Sequence, residues 1–64
     1  MVKINGMGLA LDGVVLQDYL NEHKYDAQRI AVEINEEIVP KAKYAETILA
    51  HGDVVEIVNF VGGG

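Results

Sequence analysis

Gly62, Gly63 and Gly64 close the sequence with three residues that carry no side chain. The chemistry such a run can offer is that of a main-chain carboxylate. A carboxylate on Gly64, with an ordinary pKa of roughly 3.3–3.7, is ionised near neutral pH. Its charge repels nucleophiles, so it becomes an acyl donor only after a good leaving group is attached. Glycine has no Cβ, so Gly62 and Gly63 can enter an active-site slot too narrow for other residues. Three extended residues reach roughly 10 Å. The sequence thus reads as a folded body presenting a thin thread, with one activatable group at Gly64. It contains no cysteine, so a thiol carrier, a disulfide framework and a thiolate metal site are all unavailable.

No other cluster competes with that end. His23 and His51 are the only histidines, and without a spaced partner set they make a poor metal site. No metal and no catalytic residue set is expected. Asp18 and Glu22, four apart, read as a solvated acidic face. Gly6-Met7-Gly8 lacks the lysine and the following helix of a phosphate loop. The net charge of −5 disfavours nucleic acid, whose phosphates need clustered Lys and Arg. It favours partners with a basic face. The apolar runs are too short to span a membrane, and no basic and apolar leader opens the chain. A cytoplasmic protein, monomeric when free, is expected.

The elements that must position the thread follow from periodicity. Val2, Lys3, Ile4 and Asn5 alternate as a half-buried strand does. A turn is predicted at Gly6-Met7-Gly8, and alternation resumes at Leu9 and Leu11. Over 15–23 the period becomes helical, with Leu16, Tyr19, Leu20 and His23 on one face. Val14 and Val15 cannot cap that helix, a loss of about 0.5–2 kcal/mol unless Asp12 or Gly13 starts it earlier. Lys24 suits the negative pole at its end. Residues 29–34 put Ile30, Val32 and Ile34 on one face. Asn35-Glu36 predicts a tight hairpin, in which Glu36 is a poor residue wherever positive φ is required. Pro40 closes a fourth strand at 37–39. Residues 41–48 read as irregular or as a short helical turn, with Tyr44 and Ile48 packing inward. The last strand begins at Asp53.

A single helix must cover the apolar face of a mixed sheet of about five strands. With the first and last strands parallel at the centre, this α+β arrangement is similar to the ubiquitin-like β-grasp. The expected core is Val2, Ile4, Leu9, Leu11, Leu16, Leu20, Ile30, Val32, Ile34, Val55 and Ile57. The domain is expected to span 1–61, followed by a flexible tail at 62–64. Val54, Glu56, Val58 and Phe60 face away from Val55 and Ile57. Val58 and Phe60 either form an exposed docking patch rimmed by Glu56 or finish a covered sheet face; the patch is expected.

Arg-Ile-Ala-Val-Glu-Ile-Asn-Glu-Glu-Ile-Val-Pro at 29–40, His-Gly-Asp-Val-Val-Glu-Ile-Val at 51–58 and the terminal glycines together resemble the ThiS family, the sulfur carriers of thiamin biosynthesis. Two positions depart from the family's usual pattern. Glu36 stands where glycine is common, and Val15 where threonine opens the helix. The resemblance implies that the chain is a protein co-substrate and not an enzyme. It implies a ThiF-like adenylyltransferase that uses ATP to form an acyl adenylate on Gly64, the chain itself binding no cofactor. A sulfur donor protein then yields a thiocarboxylate, and a ThiG-like thiazole synthase takes the sulfur. Three alternatives stay open: a MoaD-like carrier for molybdopterin synthesis, a ubiquitin-like modifier, and a non-covalent β-grasp interaction module. Ordering three glycines costs ~3–6 kcal/mol and buries almost no apolar area, so a docking surface must supply the binding energy.

Overall fold

Two tight turns set the strand pairing. In the computed structural model, which describes residues 1–60, Asn5 and Gly6 take φ of 49° and 85°. Positive φ at both central residues gives the two-residue hairpin turn whose twist matches its strands. It joins β1 (Val2–Ile4) to β2 (Met7–Leu9), with Val2 opposite Leu9 and Ile4 opposite Met7. The turn predicted at Gly6-Met7-Gly8 is therefore corrected. Asparagine tolerates the left-handed region, so the reversal starts one residue earlier and Met7 and Gly8 become strand. The second turn lies at Asn35 and Glu36, with φ of 52° and 68°, between β3 (Ile30–Ile34) and β4 (Glu37–Ile38). Glu36 thus occupies the strained position that its side chain suits badly.

Helix α1 (Leu16–Glu22) starts at Val15 with no side-chain cap. Its free N–H groups are satisfied from elsewhere in the chain. Leu16 donates to the carbonyl of Thr47 at 2.8 Å and Gln17 to that of Tyr44 at 3.1 Å. The same segment exchanges bonds with Leu49: Gly13 donates to its carbonyl, and its own N–H donates to Val14. A tertiary strip thus replaces the local cap. At the other end Tyr25 donates to Leu20 at 2.9 Å and Lys24 to Asn21 at 3.1 Å. Lys24 has φ 59°, so the helix closes in a Schellman turn with lysine at the position glycine usually fills.

β5 (Val54–Asn59) completes one sheet of order β2-β1-β5-β3-β4. As expected, β1 runs parallel to β5, and β3 runs antiparallel to it on the other side. The ladder continues past β4, where Val39 N–H donates to the Val32 carbonyl. Pro40 has no donor for a further rung, and the Lys41 ammonium reaches the Ile30 carbonyl instead, at 2.8 Å.

The inward face meets α1 in one core. Val2, Ile4, Leu16, Leu20, Ile30, Val32, Val55 and Ile57 are buried there as predicted. Leu9, Leu11 and Ile34 are only partly buried and pack at its margin. Tyr19, Tyr44 and Leu49 complete it. Ile48 does not pack inward but is 63% exposed. Its bridge to Val15 is extended backbone, where neighbours point opposite ways, and Leu49 takes the inner position. Val61 to Gly64, and with them the predicted boundary between domain and tail, lie outside the described residues.

Two predictions concern stability. Glu36→Gly relieves a left-handed bulky residue, worth ~1–2 kcal/mol, against a glycine entropy cost of about 0.5–1 kcal/mol. A net gain of about 0.5–1 kcal/mol in denaturant unfolding is expected, and a loss would show that the Glu36 side chain stabilises the turn. The second concerns alkaline pH. Burial pushes the Tyr19 and Tyr44 phenols up, and Tyr25 and Glu22 add to the effect at Tyr19. The folded state therefore holds these protons more tightly than the unfolded chain. That stabilisation is fully present below the ordinary phenol pKa, about 10, and is lost as pH rises through the raised values. Tyr44→Phe should make the fall in stability above about pH 10 shallower; an unchanged slope would mean that Tyr44 ionises freely in the folded protein.

Candidate functional site

β5 alternates between two environments. Val55 and Ile57 point into the core, while Val54, Glu56 and Val58 point outward, and Phe60 just beyond the strand is exposed too. The cause lies in the layers. Helix α1 and the segment after β4 bring Leu16, Tyr19, Leu20, Tyr44 and Leu49 to the core, and the opposite sheet face stays open. Val58 and Phe60 are each 52% exposed. Phe60 is still tethered, because its N–H donates to the Arg29 carbonyl at 2.7 Å. Val58 and Phe60 are therefore exposed among the described residues, and the described chain does not cover this face.

Register supplies neighbours that periodicity alone does not. Ala31 lies opposite Val58, and Glu33 lies opposite Glu56. Ile38 lies opposite Glu33, is 73% exposed, and extends the face to its edge. Lys3 lies opposite Val54. The open face thus carries exposed aliphatic and aromatic groups around two facing carboxylates. Like charges directly opposite each other destabilise a sheet. Among the described residues neither Glu33 nor Glu56 forms an ion pair. Ile38 could have been placed from sequence, since a two-residue loop at Asn35-Glu36 dictates its pairing with Glu33. The Glu33–Glu56 pair could not, because it depends on a long-range register.

The remaining sequence candidates fall elsewhere. The His23 ring packs against Tyr19 at a centroid distance of 4.3 Å. His51 Nδ1 lies 3.4 Å from Asp12 on an exposed surface, where it links two turns. No group of three or more His, Cys, Asp or Glu side chains able to hold a metal occurs among the described residues. Among the described residues no helix is long and apolar enough to cross a membrane. Gly62, Gly63 and Gly64 lie outside the described residues.

The model of the ThiS family matches residues 2–64. The chain belongs to the ThiS family. It is 39% identical over 66 aligned positions to the sulfur carrier protein ThiS of Bacillus subtilis, with all of both chains covered. It is 45% identical over 51 residues to a thiazole synthase of Paramagnetospirillum magneticum, covering 80% of this chain but only 16% of that protein. The crystal structure of a thiamine biosynthesis protein, ThiS, from Geobacter metallireducens superposes with a TM-score of 0.75 at 27% identity, covering 98% of this chain and 97% of that one. The five-stranded mixed sheet with one main helix is thus the β-grasp fold of that neighbour.

The facing carboxylates give a direct test of the register. Glu56→Lys turns a repulsive cross-strand pair into an attractive one and should raise stability by about 0.2–1 kcal/mol. A lower unfolding midpoint would show that Glu33 and Glu56 do not face each other in solution.

Proposed function

We propose that the chain is a sulfur carrier for thiazole formation in thiamin biosynthesis, with Gly64 as the covalent attachment site. The observation that carries this reading is the family match, which runs through the terminal glycines to residue 64. The full-length likeness to a sulfur carrier protein supports it. It favours the thiamin pathway over molybdopterin synthesis.

The chemistry runs in three steps. The Gly64 carboxylate oxygen attacks the α-phosphorus of ATP held by an adenylyltransferase, and pyrophosphate leaves. The resulting acyl adenylate has a good leaving group, so hydrosulfide released by a donor protein adds to the carbonyl carbon, and AMP and a proton depart. The thiocarboxylate that remains bonds through sulfur to the thiazole precursor on thiazole synthase, and attack of water on the acyl carbon breaks its C–S bond and returns Gly64 to a carboxylate. A segment of one thiazole synthase resembles most of this chain, which supports that enzyme as the acceptor partner.

The chain's own contribution is presentation. Val58 and Phe60 offer apolar area, and Glu33 and Glu56 offer a site for a basic group on the partner. Complementary charge of this kind sets orientation and on-rate more than affinity. Gly62 and Gly63 then need only be narrow enough to reach the chemistry.

Incubation with a ThiF-like adenylyltransferase, ATP and a sulfide source, followed by intact mass measurement, tests the reading. Replacement of one oxygen by sulfur is expected, and extension of the chain by one alanine after Gly64 should abolish it. Phe60→Asp should remain folded and slow conversion by weakening adenylyltransferase binding. Undiminished conversion of the extended chain would sink the proposal, and lysine adducts would point to a modifier.

A further inference from the structure

β1 is too short to flank all of β5. Its backbone pairs Lys3 with Val54 and Ile4 with Val55, with Lys3 N–H bonded to Asp53 and Asn5 N–H to Val55, each at 2.9 Å. The chain then reverses at Asn5-Gly6. In a parallel ladder the next rung would use the N–H and carbonyl of Ile57. Both are met by one side chain. Asn5 Oδ1 accepts from Ile57 N–H at 2.8 Å, and Asn5 Nδ2 donates to the Ile57 carbonyl at 3.3 Å. A carboxamide carries the same donor and acceptor as a peptide group, so Asn5 stands in for the strand that has ended.

The second turn repeats the device at the start of β5. Asn35 Oδ1 accepts from Val54 N–H, and its Nδ2 donates to Asp53 Oδ1, both at 3.0 Å. Asp53 Oδ2 in turn accepts from Ala50 N–H at 2.9 Å. The entry of β5 is therefore fixed by Asn35. Its outgoing half is held by β3 on one side, out to the bond between Phe60 and Arg29, and on the other by Asn5 alone among the described residues.

We propose that Asn5 is a positioning residue for the acyl chemistry at Gly64: its carboxamide fixes the twist of the outgoing half of β5 and so the direction in which the strand ends at Asn59. This deepens the sulfur-carrier reading and rests on it. The backbone of Val58 and Phe60 is held from the β3 side, by the Ala31 pairing and the bond to Arg29, so the effect of changing Asn5 is expected on productive alignment and not on association.

Asn5→Gly removes the carboxamide while suiting the positive φ of the turn. Asn5→Asp keeps the turn preference and replaces the donor to the Ile57 carbonyl with an acceptor. Two neutral hydrogen bonds correspond to roughly a tenfold change in the aligned population. Amide exchange should show Ile57 protection falling roughly tenfold in Asn5→Gly, with Val58 and the core amide of Val32 unchanged. Thiocarboxylate formation with the adenylyltransferase, ATP and sulfide should lose roughly tenfold in kcat in both variants, with KM for the carrier changed less than about twofold.

A merely structural role would lower protection throughout and leave kcat at saturation intact. Wild-type protection of Ile57 in Asn5→Gly overturns the surrogate rung. Lost protection with wild-type kcat overturns the positioning role. Failure of the unmodified chain to be converted would instead overturn the sulfur-carrier reading, and the exchange experiment would still decide the rung.

Discussion

Hydrogen bonding along both edges of β5 is the constraint on which the rest of the structure depends. β5 is the last element of the described chain, yet it lies at the centre of the sheet. Its Val55 and Ile57 side chains anchor the core. The pairing with β1 joins opposite ends of the sequence, while α1 and β3 to β4 fill the interval between them. A parallel pair cannot be closed by a hairpin, so the helix that crosses over the inward face is a consequence of that pairing. The same geometry brings the last described residues out of the middle of a sheet, beside a face that the helix does not cover.

That open face carries features that do not favour stability. Val58, Phe60 and Ile38 are exposed, and Glu33 faces Glu56. A domain of 64 residues has about 3–10 kcal/mol of net stability at typical values per residue. A repulsive pair at about 0.2–1 kcal/mol and a left-handed Glu36 at ~1–2 kcal/mol are sizeable on that scale. Glu36 has no bond that accounts for it among the described residues. The apolar groups and carboxylates share one face and one end of β5, and the sulfur-carrier reading gives both a use: the former bury against a partner while the latter orient it.

Much of this was legible in the sequence because alternation and helical spacing report burial directly. β1, β3 and β5, the helix at Leu16 to Glu22 and the outward set Glu56, Val58 and Phe60 follow from period, whereas the alternation over Leu9 to Asp12 misplaces β2. What was not legible needed contacts remote in sequence. Gly6-Met7-Gly8 and Asn5-Gly6 are overlapping turn signals, and asparagine's tolerance of positive φ decides between them. Ile48 sits in an isolated bridge with Leu49 just after it, too short for a period, so which one faces inward depends on the strip formed with Val14 and Val15. The missing helix cap read correctly as a local deficit, but its remedy, the carbonyls of Thr47 and Tyr44, lies some thirty residues away. The chemistry assigned to Gly64 comes from residue type and family.

The two asparagines show how a small fold fixes a strand without lengthening its neighbours. Extending β1 by two residues would supply the rung at Ile57 with backbone, but each added residue costs ~1–2 kcal/mol of conformational entropy. It would also carry the turn further toward the outgoing end of β5. One carboxamide supplies both bonds from a residue that the turn already orders, and its left-handed backbone is one that asparagine adopts readily. The position of Asn5 thus serves the reversal of the chain and the restraint of β5 together. Any residue that meets only the first demand leaves the second edge of Ile57 to water.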